Sequence, residues 1–346
     1  MSNQSNTSLF YKWNALPAQR KGRILLGTAL GGAVLAALAA LFAFLRDYEA
    51  DIGYFVRGSV LSVLLIAVLG LAALWALAVW ALQKKEKLPA QISSAGNGCY
   101  FVTVFAAFMS VFEGIFRVVM VVRKNNLFQQ KNERIEKISA AMDLICILLA
   151  FATAVFFFCA ANEKPGKKRY ALLGLLPAFK GMCGILQIFF DVSIAMNSPV
   201  KLLGEAGLMA VTLYYLAEDR FRVGGDYIRT AAYCAASVFV LIFSAATGGA
   251  LVFFYFIYNS SFAGTSGAAQ YGEICLQAVY CLITFAYALV QFLSYVRSFG
   301  QESLVKTAEV PAETEAAVQT AESGTEPTAE PSAQENAAEE EKNDEE

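Results

Sequence analysis

Residues 138–161 read ISAAMDLICILLAFATAVFFFCAA, and Asp143 is the only charged side chain among these 24 residues. A helix of about 20 predominantly apolar residues is long enough to cross the hydrocarbon core of a bilayer. The apolar character is continuous, whereas the strands of a membrane barrel alternate between apolar and polar residues. The run therefore predicts a transmembrane helix.

Eight such runs, separated by short polar segments, fill residues 24–296. In hydrocarbon only a helix or a closed barrel satisfies the hydrogen bonds of the backbone. The predicted fold class is therefore all-α, a polytopic transmembrane helical bundle of about eight spans. The predicted spans are Ile24–Leu45, Gly58–Leu82, Cys99–Val122, Ile138–Ala161, Tyr170–Met196, Pro199–Ala217, Thr230–Tyr258 and Tyr271–Val296.

The charge of the chain is divided between two parts. Up to Gln301 there are 25 Lys and Arg against 15 Asp and Glu, whereas from Glu302 onward there are 2 against 14. The second part is rich in Ala, Glu, Thr, Pro and Ser, so it cannot bury enough apolar surface to offset the entropy of ordering it. We predict a cytoplasmic N-terminal segment at 1–23, a transmembrane domain at 24–297 and a disordered acidic cytoplasmic tail at 298–346.

The positions of Lys and Arg in short loops predict the orientation, because such residues are retained in the cytoplasm. With the N-terminus inside, the cytoplasmic segments hold 16 of these residues and the outer segments hold 8. We therefore predict a multi-pass protein of the inner or plasma membrane with both termini in the cytoplasm. Residues 123–137 carry five basic side chains on the predicted outer side. They form either a solvated helical extension of the fourth span or a site for an anionic ligand or headgroup.

Several function classes find no support in the sequence. There is no histidine, and no two of the seven cysteines form a CxxC motif, so we predict no metal site. The phosphate-binding, zinc-protease and serine-hydrolase motifs are also missing from the chain. An enzyme or a cofactor is therefore not expected. Nucleic acid is not an expected partner, because the predicted cytoplasmic tail is strongly acidic.

Ionisable side chains inside the predicted spans are the best indications of function, since each costs about 2.5–3.5 kcal/mol at a helix centre on the insertion scale. The third to sixth spans carry such groups at similar depth, and the favourable i,i+4 order of Glu113 and Arg117 predicts a helical ion pair. They predict either neutral pairs that fix the helix register or an outward-facing polar cavity for a small polar or anionic solute. The candidate cavity residues are Glu113, Arg117, Asp143, Lys180, Gln187, Asp191 and Glu205.

The eighth predicted span carries a stripe of polar side chains at alternating steps of four and three residues, which places them on one face of a helix. Such a face must contact protein or water and not lipid. It predicts either hydrogen bonds between helices or the lining of a pathway. Its residues are Glu273, Gln277, Tyr280, Thr284, Tyr287 and Gln291.

The lipid bilayer is one predicted partner of the chain, and two functional hypotheses follow. The first is a transporter or permease-like protein that binds a small polar solute in the candidate cavity. The second is a non-catalytic membrane subunit, scaffold or sensor that acts through its loops and binds a protein partner through the tail at 302–346.

Overall fold

The protein is built from successive helices joined by short segments. A computed structural model describes residues 13, 16–49, 53–83, 97–127, 133–162, 172–190, 197–224, 226–261 and 272–321. For residues 97, 123–127, 133–139, 254–261, 273 and 299–321 it describes the backbone alone. The helices are α1 Ala18–Arg46, α2 Val60–Gln83, α3 Asn97–Leu127, α4 Glu133–Ala161, α5 Leu175–Phe190, α6 Pro199–Val223, α7 Tyr227–Ser261 and α8 Gly272–Ala321.

All eight helices are long and apolar enough to cross a membrane, α5 together with the helical turn at 172–174 that precedes it. The predicted fold class and the number of spans are therefore confirmed, and the chain is a multi-pass integral membrane protein. Because consecutive spans alternate in direction, α1, α3, α5 and α7 begin on one side of the membrane. We call this the N-terminal side and the opposite one the far side.

Some helix ends differ from the predicted ones. The sixth predicted span ends at Ala217, before a run of charged residues, but α6 continues to Val223 and so includes Glu218 and Arg222. Helix α4 begins at Glu133, so the helical extension of the fourth span is present, although its side chains lie outside the described residues. Residues 191–196 of the fifth predicted span also lie outside them.

The C-terminal part of the chain forms a separate unit. The chain divides into Met1–Glu302 and Ser303–Glu346, and the backbone of α8 is helical to Ala321. Residues 322–346 lie outside the described residues. Disorder of the tail therefore stays a prediction.

A small hairpin that the sequence did not predict joins α1 to α2. Strand β1 (Tyr48–Glu49) pairs antiparallel with β2 (Tyr54–Phe55). Gly53 adopts a φ of 77° in the connection, a left-handed conformation that favours glycine. The ring of Phe44, at the end of α1, lies 5.1 Å from that of Phe55, so aromatic packing holds the hairpin against the helix.

Helix α7 lies at the centre of the bundle, where it packs against α1, α2 and α6. In the most apolar stretch of α7, 67% of the residues are buried, compared with 17% in that of α2. Helix α2 therefore lies at the periphery and exposes side chains such as Val63, Ile66 and Leu74. In a membrane this face contacts lipid.

Glycines allow the central helices to approach one another closely. A Cβ atom at Gly207 of α6 would lie only 2.7 Å from the Cβ of Thr247 in α7. A Cβ at Gly248 of α7 would likewise overlap Leu282 of α8. Small residues at helix contacts are typical of membrane bundles, because close packing replaces the hydrophobic driving force that lipid removes.

Candidate functional site

Three ionisable side chains meet between α3 and α5. Arg117 Nε donates to Glu113 Oε1 at 3.0 Å, one helical turn away. Lys180 Nζ of α5 donates to the other oxygen, Glu113 Oε2, at 2.5 Å. All three side chains are nearly inaccessible to solvent, with exposures of 1–4%. The predicted i,i+4 pair is therefore present, and Lys180 adds a second cation to it.

Gln187 connects this ion cluster to two further helices. Its Oε1 accepts a hydrogen bond from Arg117 Nη1 at 3.1 Å and another from Gln277 Nε2 of α8 at 2.8 Å. Its Nε2 donates to Asp143 Oδ1 of α4 at 2.6 Å. A single amide thus joins side chains from α3, α4, α5 and α8. We call these six side chains, Glu113, Arg117, Asp143, Lys180, Gln187 and Gln277, the Glu113 network.

The Glu113 network is balanced in charge, with two carboxylates and two cations in their ordinary ionisation states. Buried charges require such partners, because an isolated ion loses far more solvation energy than the protein returns. Each cation contacts Glu113 or is linked to Asp143 through Gln187. In these states the network carries no net charge.

Glycine in α5 makes room for the amide from α8. Gly184 lies between Lys180 and Gln187 on one face of the helix, and a Cβ atom there would lie 2.8 Å from Gln277 Oε1. Any other residue would push the Gln277 side chain away from Gln187. The local sequence K-G-M-C-G-I-L-Q at 180–187 thus supplies Lys180 and Gln187 and, at Gly184, leaves the space that Gln277 needs.

The polar stripe of α8 contacts the same network one turn further along. The Lys180 ammonium lies over the ring of Tyr280, 3.6 Å from its centroid. The Tyr280 hydroxyl donates to the carbonyl of Pro177 at 2.7 Å. An aromatic face stabilises a buried cation electrostatically. Two residues of the polar stripe, Gln277 and Tyr280, therefore contact the Glu113 network.

A second polar cluster joins α6 to α8, nearer the N-terminal side. Glu218 Oε1 accepts hydrogen bonds from Arg222 Nη2 at 2.7 Å, Arg222 Nε at 3.1 Å and the Tyr287 hydroxyl at 2.8 Å. Arg222 Nη2 also donates to the Tyr287 hydroxyl at 2.8 Å. We call Glu218, Arg222 and Tyr287 the Glu218 cluster.

Buried aromatic rings surround the Glu218 cluster. Tyr287 stacks near Tyr215, with ring centroids 6.1 Å apart, and contacts Phe157 of α4 at 5.1 Å. Tyr233 of α7 stacks on Phe221 at 4.8 Å. Tyr215 also shares a 3.3 Å hydrogen bond with Thr284 of α8. Rings of this size exclude water and hold the polar groups between α6, α7 and α8.

The structure brings together most of the predicted site residues. Five of the seven candidate cavity residues belong to the Glu113 network. Glu205 is half-buried and, among the described residues, has no hydrogen bond or ion pair with them. Asp191 lies outside the described residues. Where the side chains of the polar stripe are described they are buried, which excludes lipid contact; these are Gln277, Tyr280, Thr284, Tyr287 and Gln291. The side chain of Glu273 is not among them.

Sequence reasoning missed the Glu218 cluster. Glu218 and Arg222 stand four apart in the favourable order for a helical pair, but the predicted sixth span ends before them. The tyrosines at 214 and 215 lie within one turn before the pair, so the sequence indicates a polar and aromatic helix end. Within the described part of the chain, no group of three His, Cys, Asp or Glu side chains is placed to hold a metal ion.

We expect Tyr287→Phe to lower the free energy of unfolding by about 1–3 kcal/mol, because it removes a hydrogen bond to a buried carboxylate and leaves that group less well satisfied. Unfolding of the purified protein in mixed micelles would measure the change. Tyr227→Phe is the matched control, since Tyr227 is exposed and its change should have little effect. Equal effects of the two substitutions would contradict the assigned contacts.

Searches with models of protein families, with curated proteins and with solved structures find no match to this chain. The function must therefore be inferred from the two polar clusters themselves.

Proposed function

We propose that this membrane protein is a transporter or permease-like protein, and that its solute is a small polar molecule bound at the Glu113 network. The observation that carries the proposal is the hydrogen-bonded connection of four ionisable side chains from α3, α4 and α5, which Gln277 extends to α8. Anchoring a protein in lipid needs no such groups. Ionisable residues inside spans are rare and typically mark substrate or ion pathways.

The residue types of the Glu113 network define the class of solute. Lys180 and Arg117 offer N–H donors to an anionic group, and Arg117 can do so in a bidentate manner. Gln187 presents both an acceptor and a donor, so it can exchange its partners for those of a solute. The carboxylates of Glu113 and Asp143 would hold an amino group or a proton. A small solute that carries an anionic group fits these side chains best.

The proposed orientation follows from the distribution of Lys and Arg in the loops. With both termini in the cytoplasm, the far side of the membrane is the outer side. Glu113 then lies beyond the midpoint of α3, in the outer half, and Asp143 lies near the outer end of α4. The solute would therefore enter from outside.

The test measures whether solutes stabilise the purified protein against heat. We expect at least one member of a panel of small carboxylates, amino acids and phosphates to raise the melting temperature of the wild type, because a ligand that binds only the folded state stabilises it. Asp143→Asn and Lys180→Met should remove this shift. Asp226→Asn and Arg229→Met are matched controls, because they remove an exposed ion pair, and should retain it.

Two results would count against the proposal. One is a panel in which no solute stabilises the wild type. The other is a shift that persists unchanged in both network variants. A stoichiometric protein partner that is lost on deletion of residues 302–346 would then favour the subunit or scaffold hypothesis, in which the Glu113 network only fixes the helix register.

A further inference from the structure

The Glu218 carboxylate is satisfied on only one of its two oxygens. Oε1 accepts hydrogen bonds from Arg222 and Tyr287, whereas Oε2 is buried and has no hydrogen-bond partner among the described residues. The residue is 2% exposed. Glu113 differs, because each of its oxygens accepts from a cation. A buried acceptor without a partner is destabilising, so such a group calls for a physical explanation.

We propose that Glu218 is a proton-binding site and that the proton is the coupling ion of the transporter. The inference deepens the proposed function and rests on it. The step is a simple acid–base transfer. A hydronium ion or a buffer acid gives its proton to Glu218 Oε2, the carboxylate becomes a carboxylic acid, and water or the conjugate base remains. The Glu218 cluster then passes from neutral to a net charge of +1, because Arg222 keeps its own.

Protonation at Oε2 breaks no hydrogen bond that the structure contains. The three donors of the cluster all bind Oε1, which remains an acceptor in the neutral acid. At Glu113, by contrast, a proton would displace Arg117 or Lys180 from an ion pair. Of these two buried carboxylates, Glu218 is therefore the one that can change its protonation state without losing its partners.

Acceptors for the new O–H group lie in the same aromatic environment. The hydroxyls of Tyr214 and Tyr233 are buried and have no hydrogen-bond partner in the described structure. The two rings lie 6.1 Å apart, and Tyr214 also contacts Tyr287 at 6.4 Å. Neither hydroxyl bonds to Glu218 Oε2 in this structure, so a neutral Glu218 acid would rotate toward one of them to donate its hydrogen bond.

Titratable groups from four helices surround Glu218, whereas α4 contributes the apolar ring of Phe157. Helix α6 itself supplies Asp219, Arg222 and the tyrosines at 214 and 215, whereas α7 supplies Tyr233, α8 supplies Tyr287 and α3 supplies Cys99. Arg222 is the one described cation hydrogen-bonded to the carboxylate, and its side chain is 17% exposed. Arg222 also lies one residue before the end of α6 on the N-terminal side, so a proton would approach the cluster from that side.

Helix α8 connects Glu218 to the Glu113 network. Tyr287 binds Glu218, and Gln277 binds Gln187. These two α8 residues are ten positions apart on one helix face, or about 15 Å along the axis. A proton would weaken, without breaking, the charge-assisted hydrogen bond from Tyr287 to Glu218, and would thereby act on the helix that also contacts the solute site.

The test is infrared difference spectroscopy of the full chain in lipid as the pH is lowered. The wild type and the control Asp226→Asn, which removes an exposed carboxylate, should show the carbonyl band of a buried carboxylic acid, equivalent to one proton per chain. Glu218→Gln should lose this one-proton component and keep the band of any other carboxylic acid, such as the neighbouring Asp219. Tyr233→Phe and Tyr214→Phe retain Glu218, and at least one of them should shift the band, because the acid loses its hydrogen-bond acceptor. These two variants serve as the test if Glu218→Gln does not fold.

A band of unchanged intensity in Glu218→Gln would overturn the inference. So would a wild type that shows no such band while it stays folded, or a band that neither tyrosine variant moves. The result is independent of the solute panel. A solute that stabilises the protein when Glu218 takes no proton would leave the transporter proposal standing, whereas a Glu218 proton without any stabilising solute would leave only the proton site.

Discussion

Lys180→Met is expected to lower the free energy of unfolding by about 3–5 kcal/mol, the usual effect of removing one partner from a buried ion pair. The substitution leaves Glu113 Oε2 buried without its donor and gives the Glu113 network a net charge of −1. It also removes the cation from the face of Tyr280. Reversible unfolding in mixed micelles, compared between the variant and the wild type, would measure the loss.

Two further variants separate the effect of charge from that of packing. The double variant Glu113→Gln with Lys180→Met restores neutrality, and we expect it to recover a large part of the lost stability. Arg229→Met is the control, because Arg229 is 43% exposed and its ion pair spans 3.7 Å, for which at most about 1 kcal/mol is expected. The double variant could instead lose more stability than the two single variants lose when added together. Charge balance would then not be the reason for the arrangement.

Gly207→Leu is expected to be the second most damaging change, at about 1–3 kcal/mol or more, because it overfills a close helix contact. The added side chain would collide with Thr247, whose hydroxyl donates to the carbonyl of Leu203 at 3.0 Å. Helices α6 and α7 would have to separate. The thermal stability of the purified variant and its yield in folded form would report this.

Gly70→Leu is the matched control for this substitution. A Cβ atom at Gly70 of α2 meets nothing within 4 Å, so the leucine would extend toward lipid. We expect its stability to equal or slightly exceed that of the wild type, since leucine favours the helix more than glycine does. Similar losses in both variants would show that the Gly207 contact is not specific.

The spans could be predicted because they depend on local properties of the sequence. Length and continuous apolar character suffice to recognise a helix such as Ile138–Ala161, and a four-residue spacing suffices to pair Glu113 with Arg117. Likewise, the periodic polar positions of α8 are enough to predict that Gln277 and Tyr287 avoid lipid. None of these inferences needs to know which helices are neighbours.

The contacts between helices could not be predicted in this way. Lys180 and Glu113 are 67 residues apart, and any of several acids was an equally good partner for the lysine. Lipid-facing residues look alike on every span, so the apolar pattern does not reveal the order of packing. The Glu218 cluster was missed for a different reason. Hydropathy falls at the end of α6, and the buried tyrosines that compensate for it become visible only when α6, α7 and α8 are assembled.

The central claim is that the side chains of the Glu113 network act as one unit. A double-mutant cycle between Arg117→Met and Asp143→Asn tests it most directly, because the two residues lie on different helices and both bind Gln187. We predict a coupling energy of about 0.5–3 kcal/mol in the free energy of unfolding, as is usual for residues in one hydrogen-bond network. Strictly additive effects would contradict it.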